Sequence, residues 1–278
     1  MALFIASLNS GSNGNCYYIG NKQEAILIDA GISCRETEKR MLRLGLSLKK
    51  VKAIFISHEH TDHISGLPLL AKKHQLPVYI TNQTNLKVKL EGDDYKIQHF
   101  NPFEPIAVGD LQITAFPKMH DAIDPYSFII TFNGLKIGVF TDIGRVCNNV
   151  KDYFAQCHAV FLEANYDEEM LEKGNYPYHL KNRIRGGSGH ISNKQALSLF
   201  LAHRNKNLRY LILSHLSKNN NDPELVYELF NAHAEETTII VASRYQETMV
   251  YKIEGDLNSN GFITPFTVAN SYQTNMFS

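Results

Sequence analysis

The chain has no net charge. Lysine plus arginine and aspartate plus glutamate number 28 each, so bulk charge favours no polyanionic or polycationic partner, and only a local basic face could do so. An apolar run of about 18 residues is also missing, which removes a membrane-spanning helix from consideration. The opening MALFIASLNSGSNG has neither the basic n-region nor the length of a signal peptide and is expected to form a first strand and a turn. The cysteines Cys16, Cys34, Cys147 and Cys157 contain no CxxC pair. That argues against a zinc knuckle or a disulfide framework and for reduced thiols in a cytoplasmic protein. No repeat, linker or low-complexity block divides the 278 residues, of which 44% are apolar, enough for the core of one large α/β domain.

What is present is a series of strand-length apolar runs bounded by turn residues: 3–8, 16–20, 24–29, 53–57, 77–80, 111–116, 126–132, 135–140, 159–164, 210–214 and 238–242. Asn133-Gly134 between two of them predicts a hairpin. Ser33-x-x-Glu36 and Ser192-x-x-Gln195 are capping-box patterns, and Asp222-Pro223 reads as an N-cap followed by proline at the first helical position. Hairpins mixed with βα units predict an α/β (α+β) fold of two mixed sheets packed face to face with helices outside. The polar stretch 262–278 is expected to be irregular, either mobile or packed on a partner.

Histidine is the informative residue. The chain has 12, and in IFISHEHTDHISG a strand ends at Ser57 and is followed at once by His58, His60, Asp62 and His63. Buried without partners, such side chains would cost several kcal/mol each, on the order of 2–7 for a polar group and more for a charge. A metal ion satisfies all four together. The alternating His58 and His60 can face one ion from an extended loop, while Asp62 and His63 turn into a helix and can face a second.

This HxHxDH motif resembles the metallo-β-lactamase superfamily, over about residues 1–255, with 256–278 left as a tail. The resemblance implies a four-layer αββα sandwich. It also implies roles for residues that singly would be unremarkable. Asp29 in ILIDAG matches the aspartate that orients the HxHxDH loop, His120 in FPKMHDA the third motif, Asp142 in VFTDIG the fourth, and His215 in LILSHLS the fifth. On that pattern His58, His60 and His120 hold one divalent ion, Asp62, His63 and His215 hold another, and Asp142 bridges both. Imidazole and carboxylate ligands without thiolate suit Zn²⁺ or Mn²⁺, and also Fe.

Departures from the pattern narrow the branch. His60 stands where redox diiron relatives carry glutamate, and Asp142 where several antibiotic-cleaving relatives carry cysteine. Only 73 positions separate Asp142 from His215, too few for the large insert of the RNase J and cleavage-factor branch. Within that interval, Glu163 in FLEANYD and His190 in GGSGHIS lie where RNase Z-like enzymes carry a glutamate and a histidine that assist proton transfer. The triplet Ser188–His190 is also similar to the phosphate-contacting motif of the RNase J branch. Lys181, Arg183 and Arg185 just upstream are either phosphate contacts or a solvated turn. The loop Ser10–Asn15 is either a backbone approach to phosphate or a tight hairpin, and Asn219–Asn221 either cleft lining or a helix-entry loop. Together these segments resemble the YycJ/WalJ group, bacterial proteins of this fold regarded as DNA exonucleases. The expected reaction is therefore metal-dependent phosphodiester hydrolysis, of DNA more than RNA, with Asp62, His190 and Glu163 as catalytic groups. His190, Arg183, Arg185 and Ser188 are the expected phosphate contacts. A small thioester, lactone or cyclic phosphodiester substrate is the alternative, and a binding protein with a vestigial site is a third possibility.

Overall fold

A computed structural model describes residues 2–90, 95–257 and 263–264. Strands β1 (Ala2–Asn9), β2 (Cys16–Gly20), β3 (Ala25–Ile28), β4 (Val51–Phe55), β5 (Val78–Ile80) and β6 (Ile97–His99) belong to one sheet. Strands β7 (Ile106–Val108), β8 (Leu111–Pro117), β9 (Tyr126–Phe132), β10 (Leu135–Phe140), β11 (Ala159–Glu163), β12 (Tyr210–Ser214) and β13 (Thr238–Val241) form the second. The chain then returns to the first sheet as β14 (Tyr251–Glu254), antiparallel to β1. A short pair, β15 (Asp256–Leu257) with β16 (Ile263–Thr264), follows. The rest of the stretch 262–278 lies outside the described residues.

The helices are α1 (Cys34–Arg43), α2 (Thr61–Ile64), α3 (Leu67–His74), α4 (Asn82–Val88), α5 (Asn148–Phe154), α6 (Glu168–Lys173), α7 (Tyr178–Arg185), α8 (Asn193–His203) and α9 (Pro223–Asn231). The predicted N-caps are present, although at Ser33 only half of the expected box forms, since Glu36 pairs with Arg40 instead. Ser33 accepts from the Glu36 N–H, Ser192 and Gln195 form the full reciprocal box, and Asp222 accepts from Glu224 and Leu225. Asn133 and Gly134 both take positive φ, 48° and 80°, as a tight hairpin between β9 and β10 requires.

Alternation along the strands builds the layers. On β9, Tyr126, Phe128, Ile130 and Phe132 enter the core between the sheets, while Ile129 points the other way, into a core that includes Val150, Phe154, Phe200 and Phe230 from α5, α8 and α9. On the far side, Met41 of α1 and Leu67 and Leu70 of α3 pack with Leu27 and Ile54 of the first sheet. The result is the expected αββα sandwich. Among the described residues no helix is long and apolar enough to cross a membrane.

Strand direction positions the site. β3 runs parallel to β4, and β10, β11 and β12 run parallel to one another. The residues that follow their C-terminal ends therefore emerge at one edge of the sandwich, where open α/β sheets place their sites.

Candidate metal centre

Three residues just past strand ends have left-handed backbones although none is glycine: Asp29 (φ 62°), Asp142 (φ 54°) and His215 (φ 58°). Each such residue carries strain of about 1–3 kcal/mol that the surroundings must hold in place. All three side chains turn into the same buried cluster.

His58, His60 and His120 bring ring nitrogens within 4.8 Å of one another, and Asp62, His63 and His215, and likewise His58, His63 and Asp142, bring carboxylate oxygens and ring nitrogens equally close. His58 Nε2 lies 3.1 Å from His60 Nδ1, which lies 3.2 Å from His120 Nε2. Ligand atoms bound at about 2.1 Å in a tetrahedron stand about 3.4 Å apart, so this spacing is what a cation would occupy. Asp142 Oδ2 is buried without a hydrogen-bond partner, 3.2 Å from His63 Nε2. A buried carboxylate oxygen left in that state is a second mark of a cation position. The donor set thus fits divalent metal ions.

Neighbouring groups fix the tautomers. His120 Nδ1 donates to the Gly189 carbonyl (2.9 Å), which leaves Nε2 facing His60. His63 Nδ1 donates to Asp29 Oδ2 (2.7 Å), and Asp29 also accepts from the Ser57 N–H (2.8 Å) and Oγ (2.9 Å), so one carboxylate holds the start of the HxHxDH loop and its last histidine. The loop needs close backbone approach: a Cβ on Gly31 would lie 1.7 Å from the Asp62 carbonyl oxygen.

The two halves differ electrostatically. Burial, reinforced by His63 and Lys118, drives His58 well below its ordinary value, and burial brings His120 down to about 4 despite Asp142. Their lone pairs are free at neutral pH. Burial opposes a charge on His215 too, but there Asp142 and hydrogen bonds with Asp62 and Glu163 prevail and push it up to about 10. Without a cation, then, the carboxylates of this half are balanced by imidazolium.

Glu163 is fully buried and joins these groups. Its Oε1 accepts from His190 Nδ1 (2.8 Å) and His215 Nδ1 (3.0 Å), and its Oε2 from the Ile143 N–H (2.8 Å). Burial alone would raise this carboxyl; His190 and the two histidine hydrogen bonds bring it down to about 2. His190 lines a cleft of about 380 Å³ together with Ser12, Asn13, His60, Asp62 and Arg183.

The comparisons agree with this architecture. Residues 24–216 match the family model described as a beta-lactamase superfamily domain. The chain belongs to the metallo-β-lactamase superfamily. It is 35% identical to exodeoxyribonuclease YycJ of Bacillus anthracis over 81% of this chain and 86% of that protein. It is 30% identical to exodeoxyribonuclease WalJ of Streptococcus pneumoniae over 79% and 84%. Among solved structures, the metallo-β-lactamase fold protein YhfI of Bacillus subtilis superposes with a TM-score of 0.69 at 16% identity, covering 91% of this chain and 100% of that one. Membership of this superfamily, together with relatives of 30–35% identity named as exodeoxyribonucleases, makes the chain a hydrolase, and its fold implies divalent metal ions.

Not every residue singled out in the sequence reaches the site. Arg183 lines the cleft, but its Nε is paired with Asp121 Oδ2 at 2.5 Å. Arg185 is held by Glu172 and Asn182, and Lys181 by the Glu172 carbonyl. Ser188 is exposed and its backbone packs beside Gly144. This basic stretch is helix α7, not a turn. Asn221 ties α8 to β11 through Asn193 and the Ala164 carbonyl, as a helix-entry loop would.

The bracing role of other contributors is not assigned by the sequence. The Asn15 side chain places Nδ2 3.1 Å from both Asp62 Oδ2 and His63 Nε2, while Ser10 Oγ accepts from the His215 N–H (2.7 Å). The Ser10–Asn15 loop therefore braces both ends of the ligand set. Lys118, buried, donates to the Thr141 carbonyl next to Asp142 (2.6 Å). Only the SGSNGN composition hinted at any of these.

Proposed function

We propose that this hydrolase cleaves phosphodiester bonds in nucleic acid, DNA in preference to RNA, from a chain end and with two divalent cations, Mn²⁺ or Zn²⁺. His58, His60 and His120 would hold one, Asp62, His63 and His215 the other, with Asp142 shared. When bound, such ions supply Lewis acidity, which makes water a nucleophile near neutral pH and neutralises charge on phosphate oxygens.

The reading is carried by His190, the cluster histidine outside that ligand set. Its Nδ1 is anchored on Glu163, so Nε2 is the nitrogen left for the cleft. Hydrolysis of a phosphodiester leaves an alkoxide oxygen that needs a proton. His190 in its doubly protonated form donates one from Nε2, while the Glu163 carboxylate stabilises the imidazolium. Asp62, which lines the same cleft, accepts the proton of the attacking water. The exodeoxyribonuclease activity named for the YycJ and WalJ relatives supports DNA as the substrate. A cytoplasmic setting suits both that substrate and the free thiols of Cys16, Cys34, Cys147 and Cys157.

The cleft volume of about 380 Å³ also suits a small ester, and one panel decides between the readings. Protein reconstituted with Mn²⁺ or Zn²⁺ is assayed on end-labelled single- and double-stranded DNA, RNA, a thioester, a lactone and a cyclic phosphodiester. Progressive shortening of DNA that stops with chelator is expected. Turnover of a small ester with none of either nucleic acid would overturn the proposal.

A further inference from the structure

The cations around the cleft are not equivalent. Arg183 is neutralised by Asp121 and Arg185 by Glu172. Arg244, in the loop between β13 and β14, has no ion pair among the described residues. Its Nη2 donates to Ser12 Oγ (3.2 Å), and its Nη1 is buried without any acceptor. A guanidinium offers five N–H donors in a rigid fork suited to two phosphate oxygens, and leaving a charged donor unpaired is costly. Arg244 is also fixed to the cleft by its backbone. Asn13 Nδ2 donates to its carbonyl (2.8 Å), and the adjacent Ser243 carbonyl accepts from the Ser10 N–H (3.1 Å). Ser12 and Asn13 line the cleft, and Ser10 holds the His215 backbone. An unpaired arginine thus stands one loop away from the metal cluster, on residues different from those that carry Arg183.

The next residue, Tyr245, is 71% exposed. Its backbone is held at both ends: the N–H donates to Ser243 Oγ (3.0 Å) and the carbonyl accepts from Arg40 Nη2 (3.1 Å). Tyr245 is therefore an exposed aromatic residue on an anchored backbone, next in sequence to an arginine without an ion pair. Phosphate and base of one nucleotide present the same pairing of an anion with a flat π-surface.

We propose that Arg244 and Tyr245 form a nucleotide subsite at the mouth of the metal cleft, Arg244 binding a backbone phosphate and Tyr245 stacking on a base. The proposal rests on the nucleic-acid reading above and adds where the strand outside the reacting bond is held. Ser12 and Asn13 connect the subsite to the cleft, with Arg183 among the other lining residues.

The test is fluorescence anisotropy of a labelled single-stranded phosphorothioate oligonucleotide, chosen to resist hydrolysis, on full-length metal-loaded protein over a salt series. Arg244→Ala is expected to weaken binding about tenfold and to flatten the slope of log affinity against log salt by about 0.7, one phosphate contact on a single strand. Arg244→Lys keeps the charge and should restore the slope. Tyr245→Ala should weaken binding about fivefold or more with the slope unchanged, and Tyr245→Phe should restore it. Wild-type affinity and slope in Arg244→Ala, with folding verified by its melting temperature, overturn the subsite and leave the nuclease reading standing. A wild-type protein that binds no oligonucleotide overturns both.

Discussion

His190 and His215 share one carboxylate oxygen. Each donates from Nδ1 to Glu163 Oε1, at 2.8 and 3.0 Å, so a histidine of the proposed ligand set and the histidine proposed to act on substrate are oriented by the same buried atom. Glu163 also accepts from the backbone N–H groups of Asp142, Ile143 and Ile191. Five donors converge on its two oxygens.

Glu163→Gln should therefore do more than misplace a side chain. The amide NH₂ would face donors where the carboxylate faces them now, and a buried charge partner is lost. Breaking a buried pair in this way costs about 3 kcal/mol or more. Chemical denaturation should show that loss. A change below about 1 kcal/mol would mean the hub is not holding its neighbours.

Asp142→Ala tests the bridging carboxylate. Asp142 belongs to two of the donor groups, one with His58 and His63 and one with Glu163, His190 and His215. Its removal should lower metal content to below one ion per chain, whereas His60→Ala should spare the Asp62, His63 and His215 position. Mass spectrometry of the native protein, with two ions retained in Asp142→Ala, would rule out the bridge.

Much of this candidate centre is legible in the sequence, because four ligand-type side chains cluster in HxHxDH, and each remaining proposed ligand follows an apolar run that announces a strand end. The residues that brace it are not legible. Asn15 meets Asp62 across 47 positions, and a loop asparagine looks the same whether it holds a ligand or faces water. Strands β6, β7 and β14 also escape notice. They have three or four residues, lie at sheet edges or near them, and bury only one or none of these, too few for alternation to show. Helix α7 is hidden for a related reason: Leu180 and Ile184 are its only aliphatic residues, and its N-cap is Pro177 with no side-chain cap.

The pH response of metal-free protein should be set partly by His215. Its folded-state value, about 10, lies above the ordinary 6.5, so folding favours the charged form. That contribution is complete below about 6.5 and is lost as pH rises through 10. In chelator, the stability difference between wild type and His215→Asn should shrink across this window. Metal affinity should move the other way, rising with pH as the competing proton leaves. Denaturant titrations at several pH values check the first expectation, and a difference that stays constant would contradict the assigned partners Asp62, Asp142 and Glu163.

His190→Ala should keep both metals and lose most turnover of phosphodiesters. His190 Nδ1 is occupied by Glu163, while the ring lies 5.3 Å from that of His120 and 5.1 Å from that of His215, beside the proposed ligands. If Nε2 protonates the leaving oxygen, it acts mainly in the transition state, and its loss should lower kcat by about 10²–10⁴-fold, the usual range for acid–base assistance. A nitrophenyl phosphodiester, whose leaving group needs no proton, should then be cleaved at close to the wild-type rate. If Nε2 instead holds a phosphate oxygen, the nitrophenyl ester and DNA should lose rate alike. Normal rates on both substrates, with two ions still bound, would exclude both roles and shift weight to the small-ester reading of the cleft.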